Sequence, residues 1–396
     1  MGNPKLKKTS FDYFIYAFYQ TARAIVRLSS SDALTIEMRV GDFQSVLDNV
    51  RDNKEERKAR GMAVEYDSID LSNVPDYTGF LNEFSESIEM LKPVKHSYIG
   101  FSVFLNVVVW KSLNDVIHSY LLVPGENALP RYLGVKSVGE DDLWEGFRFS
   151  RIEGPIPLDQ LLGRDELIAW LSRLFVTIVT PSAVEPGTFP IHSPNNITMF
   201  FKLLGRLLRI GYPTHWITGV VELLLSGSLT TVEPTRKNRM IPLSRVAPPL
   251  LKMLSITPWL IEIRTQAALW MDKYQIRLLA GSIIPSVSDI KRYDISIRGT
   301  RSYSGPPFSS VIMMAIEYPS NQIFSPSNGA DDNLRFQLLD ATRNKTTIIT
   351  TILFDGKTVS FWMSETDYNN LLSQNVTIKL FRNDTWKPFT EPKSLQ

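Results

Sequence analysis

Between residues 34 and 109 the chain alternates short strand-like runs with helix-like ones, and no other feature limits its fold as strongly. Leu34-Thr35-Ile36-Glu37-Met38-Arg39-Val40 alternates apolar and polar side chains with period two and stops at Gly41-Asp42, as a strand ending in a turn does. Residues 43–50 have helical spacing. Tyr66-Asp67-Ser68-Ile69-Asp70-Leu71-Ser72-Asn73 predicts a second strand, closed by Val74-Pro75-Asp76-Tyr77-Thr78-Gly79. Residues 80–92 then predict a helix, and 97–109 an apolar strand or the start of a buried helix. Strand, helix, strand at these lengths is the pattern of a parallel α/β sheet. Ligands of such sheets bind beyond the carboxyl ends of the strands. Gly41, Asp42, Ser72, Asn73 and Asp76 are therefore the expected substrate-binding positions.

The flanking regions read differently. Residues 11–28 repeat aromatic and aliphatic side chains, broken by Gln20, Arg23 and Arg27, which suits a helix buried on most sides. The charge run at 51–60 predicts a solvated helix face or loop. From 158 to 285 the spacing turns helical, over 158–175, 198–210, 216–225, 243–253 and 258–279, with joints at Pro181, Pro186, Pro190, Pro194 and Pro213. Past Pro285, short strands are expected at 295–297, 311–316, 334–338, 346–354, 358–363 and 376–381, with Phe354-Asp355-Gly356-Lys357 as a hairpin turn. The expected architecture is a helix over 1–33, a Rossmann-like parallel α/β domain over 34–157, a helical region over 158–285 and a small β-rich domain over 286–396.

Composition removes several chemistries. The 396 residues contain no cysteine and four histidines, so disulfides, thiol nucleophiles and cysteine-ligated metals are excluded. His96, His118, His192 and His215 lack metal-ligand spacing to one another and read as packing or capping residues; no metal is expected. No apolar run is long enough to span a bilayer, and no secretion signal is readable after Lys5, Lys7 and Lys8, so a cytoplasmic protein without a membrane partner is expected. The net charge of +2 does not mark a DNA-coating protein. The densest basic region, Arg236-Lys237-Asn238-Arg239 with Arg206, Arg209 and Arg245, is either an ordinary charged loop or a phosphate-contacting patch. An S-adenosylmethionine site has little support, because no Gly-rich loop precedes the first strand.

With histidine and cysteine so scarce, acid–base or cation-recognising chemistry falls mainly on carboxylates, and these cluster at Asp141-Asp142-Leu143-Trp144-Glu145. Ser137-Val138-Gly139-Glu140 before them reads as a capping box with Ser137 as N-cap. On a helix starting there, Asp141, Asp142 and Glu145 crowd one edge at spacings of three and four residues, where like charges repel. Either the macrodipole at a helix start stabilises them, or they have a cation to hold.

The segment from Tyr66 to Gly79 resembles the signature of a fungal domain of unknown function that also occurs beside MYND fingers and, more distantly, in dynein assembly factors. Within that group a D-D-x-x-E motif marks the fungal arginine-containing cyclodipeptide synthases, and Asp141-Asp142-Leu143-Trp144-Glu145 is similar to it. The resemblance covers about a third of the chain. It implies an enzyme that joins arginine from arginyl-tRNA to a second residue from another aminoacyl-tRNA, giving cyclo(Arg-Xaa). Asp141, Asp142 and Glu145 would be catalytic, and Arg206, Arg209, Arg236, Lys237 and Arg239 would meet tRNA. No cofactor is implied, since an aminoacyl ester is already activated. The competing expectation is a non-catalytic assembly or scaffold protein on a degenerate methyltransferase-like fold.

Overall fold

A computed structural model describes residues 9–31, 33–41, 43–78, 80–104, 110, 112–139, 146–180, 196–232, 250–278, 284–296, 312–318, 338–340, 346–382 and 393–395. The chain forms two compact units, 1–54 and 55–396.

In the first unit, α1 (Ser10–Ser29) opens on a capping box: the Thr9 hydroxyl accepts the Asp12 N–H at 3.2 Å, and the Asp12 carboxylate accepts the Thr9 N–H at 2.8 Å. The expected burial on most sides does not occur. Phe11, Phe14 and Phe18 are 68%, 65% and 66% exposed, because apolar spacing can set a helix but burial needs an element packed against it. The strand expected over 34–40 is also absent. Those residues are irregular, with Ile36 and Met38 exposed, since alternation makes a strand only where a neighbour takes up its N–H and C=O groups. The helix expected at 43–50 is α2 (Phe43–Asp52).

The second unit begins within α3 (Lys54–Ala59), the charge run. Most of α3 is solvated as expected, but Arg57 is buried and donates to the Ala63 carbonyl at 3.1 and 2.8 Å. Then follow β1 (Ser68–Asp70), α4 (Pro75–Thr78), α5 (Phe80–Ser85) with a 3-10 turn at Ser87–Met90, β2 (Tyr98–Phe101), α6 (Leu113–Leu121), α7 (Leu129–Leu133), β3 (Val135–Ser137) and β4 (Phe147–Arg151). These strands make a mixed sheet in the order β1-β2-β4-β3, with β1 parallel to β2 and β4 antiparallel to both its neighbours. Ile99, Phe101, Phe147 and Phe149 form its buried face. They meet Phe80 and Phe84 edge to face: Phe84 and Phe149 lie 5.0 Å apart at 90°, Phe80 and Phe101 4.8 Å apart at 79°.

The region from 158 to 285 holds α8 (Arg164–Val179), α9 (Ile197–Ile210), α10 (Thr214–Leu225) and α11 (Leu260–Tyr274). The helix expected over 243–253 is replaced, where described, by β6 (Leu251–Ser255), which pairs antiparallel with β5 (Ser228–Val232); its apolar run is a ladder partner rather than a helix face. Beyond it lie β7 (Ile290–Ser296), β8 (Ile312–Glu317), β9 (Thr347–Ile349), β10 (Leu353–Phe354), β11 (Thr358–Ser364), α12 (Glu365–Leu372), β12 (Thr377–Arg382) and β13 (Lys393–Ser394). They form two small sheets, β10-β11-β7 and β13-β12-β8-β9. The strand expected at 334–338 falls almost entirely outside the described residues.

Buried polar groups tie the helical and β-rich parts together. Glu262 of α11 is fully buried, and its carboxylate accepts the N–H groups of Thr350 (2.6 Å) and Thr351 (2.8 Å) and the Thr350 hydroxyl (3.1 Å). The same hydroxyl accepts the N–H of Ile197, the first residue of α9. The fold is thus mixed α/β with several small sheets. No helix among the described residues is long and apolar enough to cross a membrane.

Candidate functional site at the carboxyl edge of the mixed sheet

The parallel pair sets the geometry of this edge. In register, Ser68 faces Tyr98 and Asp70 faces Gly100. The pairing runs past both strands: Leu71 N–H donates to the Gly100 carbonyl at 2.9 Å, and Ser102 N–H to the Ser72 carbonyl at 2.7 Å. Ser72 then turns the chain with a left-handed φ of 50°, its N–H held at 2.9 Å by the Asp70 carboxylate two residues back. The Val74 N–H bonds the Leu71 carbonyl, and Pro75 opens α4, where its missing N–H costs nothing.

This edge treats the expected substrate-binding residues unequally. Ser72 is exposed and Asn73 half-buried, so both remain accessible beyond the strands. Asp76 does not. It is fully buried, and its Oδ2 accepts the Phe104 N–H at 2.8 Å, tying the end of β1 to the end of β2. The expectation of direct ligand contact by Asp76 is therefore corrected: its carboxylate is enclosed between the strand ends. Phe104, which that bond anchors, is 59% exposed, whereas Phe101, Phe147 and Phe149 in the same sheet are buried. Gly41 is exposed in the first unit, and Asp42 lies outside the described residues.

The hairpin joining β3 to β4 is rooted at the same edge. Ser137 pairs with Phe149, and the Val138 N–H donates to the Arg148 carbonyl at 2.8 Å. The expected N-cap role of Ser137 is thereby overturned: its backbone belongs to a strand, not a helix start. Gly139 and Gly146 both have left-handed φ, 102° and 98°. A Cβ at 146 would stand 2.9 Å from the Phe101 carbonyl oxygen and 3.0 Å from the Ser102 Oγ. Only glycine lets the chain approach the end of β2 so closely. Asp141, Asp142 and Glu145 lie between these glycines, outside the described residues.

The basic residues separate as well. Arg206 of α9 is 3% exposed, and it donates to the Leu133 and Gly134 carbonyls and to the Glu89 carboxylate. Burial, with the neighbouring charge of Arg209, pulls its pKa down to about 9, and the Glu89 carboxylate works against that pull. A guanidinium enclosed in this way cannot reach a phosphate in solution, so its expected tRNA contact is corrected. Arg209 is partly exposed; it pairs with Glu89 at 3.3 Å and donates to the Tyr274 hydroxyl at 3.1 Å. Arg236, Lys237 and Arg239 lie outside the described residues.

His118 is a packing residue, with Nδ1 3.3 Å from the Val123 carbonyl oxygen. Burial, then the charge of Arg173, holds its pKa below the ordinary 6.5. The unfolded chain therefore binds a proton at a higher pH than the native one, and this contribution to stability is lost as pH falls through the window below 6.5. Urea unfolding of the wild type should show a falling midpoint from pH 7 to pH 5, and His118→Gln a flatter dependence; the same slope in both would remove the histidine from the effect. Among the described residues no acidic or histidine cluster has the geometry to hold a metal ion.

An open groove of about 470 Å³, lined by Pro130, Arg131, Glu153, Pro155 and Pro157 among others, lies at the opposite end of β3 and β4. Pattern reading missed two features here: exposed Phe104, for which the sequence carries no distinct signal, and β4 itself. Phe147-Arg148-Phe149-Ser150-Arg151 alternates with period two, and that alternation was readable. Comparison of the chain with protein-family models, with curated proteins and with solved structures gives no match.

Proposed function

We propose that this protein is a tRNA-dependent synthase of arginine-containing cyclodipeptides, built on a Rossmann-like sheet. The observation that carries the reading is a convergence. Ser72 and Asn73, which follow β1, and the glycines that bracket the acidic triplet are far apart in sequence, yet both sets are rooted at the carboxyl ends of β1 and β2. That is where open α/β sheets take their ligands.

The reaction asks little of the protein beyond positioning and proton transfer. The α-amine of one aminoacyl ester attacks the carbonyl carbon of the other, and a ribose hydroxyl of tRNA leaves. The free amine of the resulting dipeptidyl ester attacks the remaining ester carbonyl, and the second ribose hydroxyl leaves as the ring closes. Each attack releases one proton from nitrogen and returns one to a departing oxygen. Asp141, Asp142 and Glu145 have two chemically sound roles: a bidentate hold on the guanidinium, or acceptance of the ammonium proton.

Expression in a heterologous host with mass spectrometry of the medium tests the reading directly. Arginine diketopiperazines are expected in the medium, and ribonuclease is expected to abolish their formation in a lysate. A folded, well-expressed protein yielding no such product would leave the assembly or scaffold alternative.

A further inference from the structure

The mixed sheet has a second face that its aromatic core does not use. Residues paired across neighbouring strands share a face, so Ser68, Asp70, Tyr98, Gly100, Arg148, Ser150 and Lys136 fall together on the side opposite Ile99 and Phe149. Ser68, Asp70, Lys136 and Arg148 are exposed and Tyr98 is half-buried, while Gly100 and Ser150 are buried, so the open part of the face is the row around Tyr98, Arg148 and Lys136. The Arg148 guanidinium lies over the Tyr98 ring, 5.3 Å from its centroid. Gly100 adds no side chain beside this stack, and a Cβ there would come within 3.5 Å of the Tyr98 ring. Lys136 stands on the next strand, diagonal to Arg148. Among the described residues neither cation has a carboxylate partner. Lys95 is exposed in the turn leading into Tyr98. Of the acids, Asp70 lies in the row of Arg148 with Gly100 between them, on the edge strand β1, and its carboxylate holds the Ser72 N–H; Asp67 is paired with Lys92 at 2.7 Å.

We infer that this open face docks single-stranded RNA, with Lys136 and Arg148 on backbone phosphates and a base stacked on the Tyr98–Arg148 pair. A sheet face that combines an aromatic ring, a planar guanidinium and cations without a carboxylate partner meets both needs of a flexible polyanion with π-faced bases: charge for the backbone and a platform for stacking. An apolar partner is disfavoured by the two cations. The inference rests on the proposed function only in taking the RNA to be the acceptor end of a charged tRNA, and it adds where that strand lies. One end of the face is the carboxyl edge, so a strand lying along it can deliver its 3′ terminus there.

Fluorescence anisotropy with a short labelled single-stranded RNA ending in CCA tests the inference on the full-length protein. Lys136→Glu with Arg148→Glu is expected to weaken binding at least about tenfold and to lower the slope of log affinity against log salt by about 1.4, the share of two phosphate contacts. Tyr98→Ala is expected to weaken binding about tenfold, and Tyr98→Phe to restore it. Lys291→Glu with Lys357→Glu, exposed cations on another sheet, should leave it unchanged. Circular dichroism checks that each variant is folded. Wild-type protein that fails to bind the RNA, or face variants that bind it normally, would overturn the inference. So would a double reversal that loses poly-glutamate but keeps RNA, which would assign the face to an acidic polypeptide. Absent cyclodipeptide together with RNA binding that the face variants lose would sink the proposed reaction and leave the docking face standing.

Discussion

Alanine at Asp142 or Glu145 is expected to lower cyclodipeptide output by at least about a hundredfold, the usual effect of removing a positioned acid or base. The fold should persist. β3 and β4 are joined by their own ladder, which contains neither acid, so each substitution should change stability by no more than about 0.5 kcal/mol. Isosteric variants separate the two roles. Asp142→Asn and Glu145→Gln keep shape and remove charge; if the acids grip the guanidinium, these variants should lose arginine incorporation while transfer of other aminoacyl groups continues. If one acid accepts the amine proton, all transfer should fall together. Purified Arg-tRNA and Lys-tRNA, each supplied with a mixed pool of other aminoacyl-tRNAs, complete the test. A planar guanidinium presents a fork that two carboxylates satisfy together, and a lysine ammonium does not. Equal incorporation of lysine and arginine would show that these acids do not read the guanidinium, and full activity in the alanine variants would remove them from the reaction.

The second large effect concerns stability. Arg206→Ala is expected to cost about 2–4 kcal/mol, because it leaves two interior carbonyls, of Leu133 and Gly134, without their donor and removes one of the two cations on the partly exposed Glu89 carboxylate. Arg209→Ala, at a partly exposed pair with the same glutamate, should cost about 1 kcal/mol or less. Replacing both partners, Arg206→Met with Glu89→Leu, should recover part of the loss, since the carboxylate is removed and the methionine refills the space, while the two carbonyls still lack a donor. Urea denaturation of the three variants decides it. An Arg206→Ala protein as stable as wild type but with a flatter salt dependence of RNA binding would return Arg206 to the nucleic-acid surface.

Much of the local structure was legible because its causes are local. The Phe354-Asp355-Gly356-Lys357 turn forms as its residues predict: Gly356 takes a φ of 92°, and the Asp355 carboxylate accepts the N–H groups of Lys357 and Thr358 at 2.8 and 2.6 Å. Those bonds hold the Asp355 pKa below its ordinary value. The apolar spacing of 198–210 predicted α9 to within a residue at its start. The same local logic could have found α12, where Ser364 caps the helix by accepting the Asp367 N–H at 3.1 Å, a serine and an acid three residues apart.

What depends on a partner was not legible. Residues 34–40 and 68–70 carry the same kind of alternation, but only the second has a neighbour, β2, to complete its hydrogen bonds. Ser137 followed by Glu140 has the spelling of a capping box, yet Phe149 claims Ser137 for a strand. Arg206 sits in a basic stretch that reads as surface, and Glu89, more than a hundred residues earlier, is what allows it to be buried. Asp76 likewise looked like a ligand contact until the Phe104 N–H, 28 residues on, took its oxygen. Propensity, turns and caps act over a few residues, so the chain itself determined them. Which strand is paired, which charge is neutralised and which carboxylate stays open to a ligand are settled by groups distant in sequence, and only the tertiary structure brings those together.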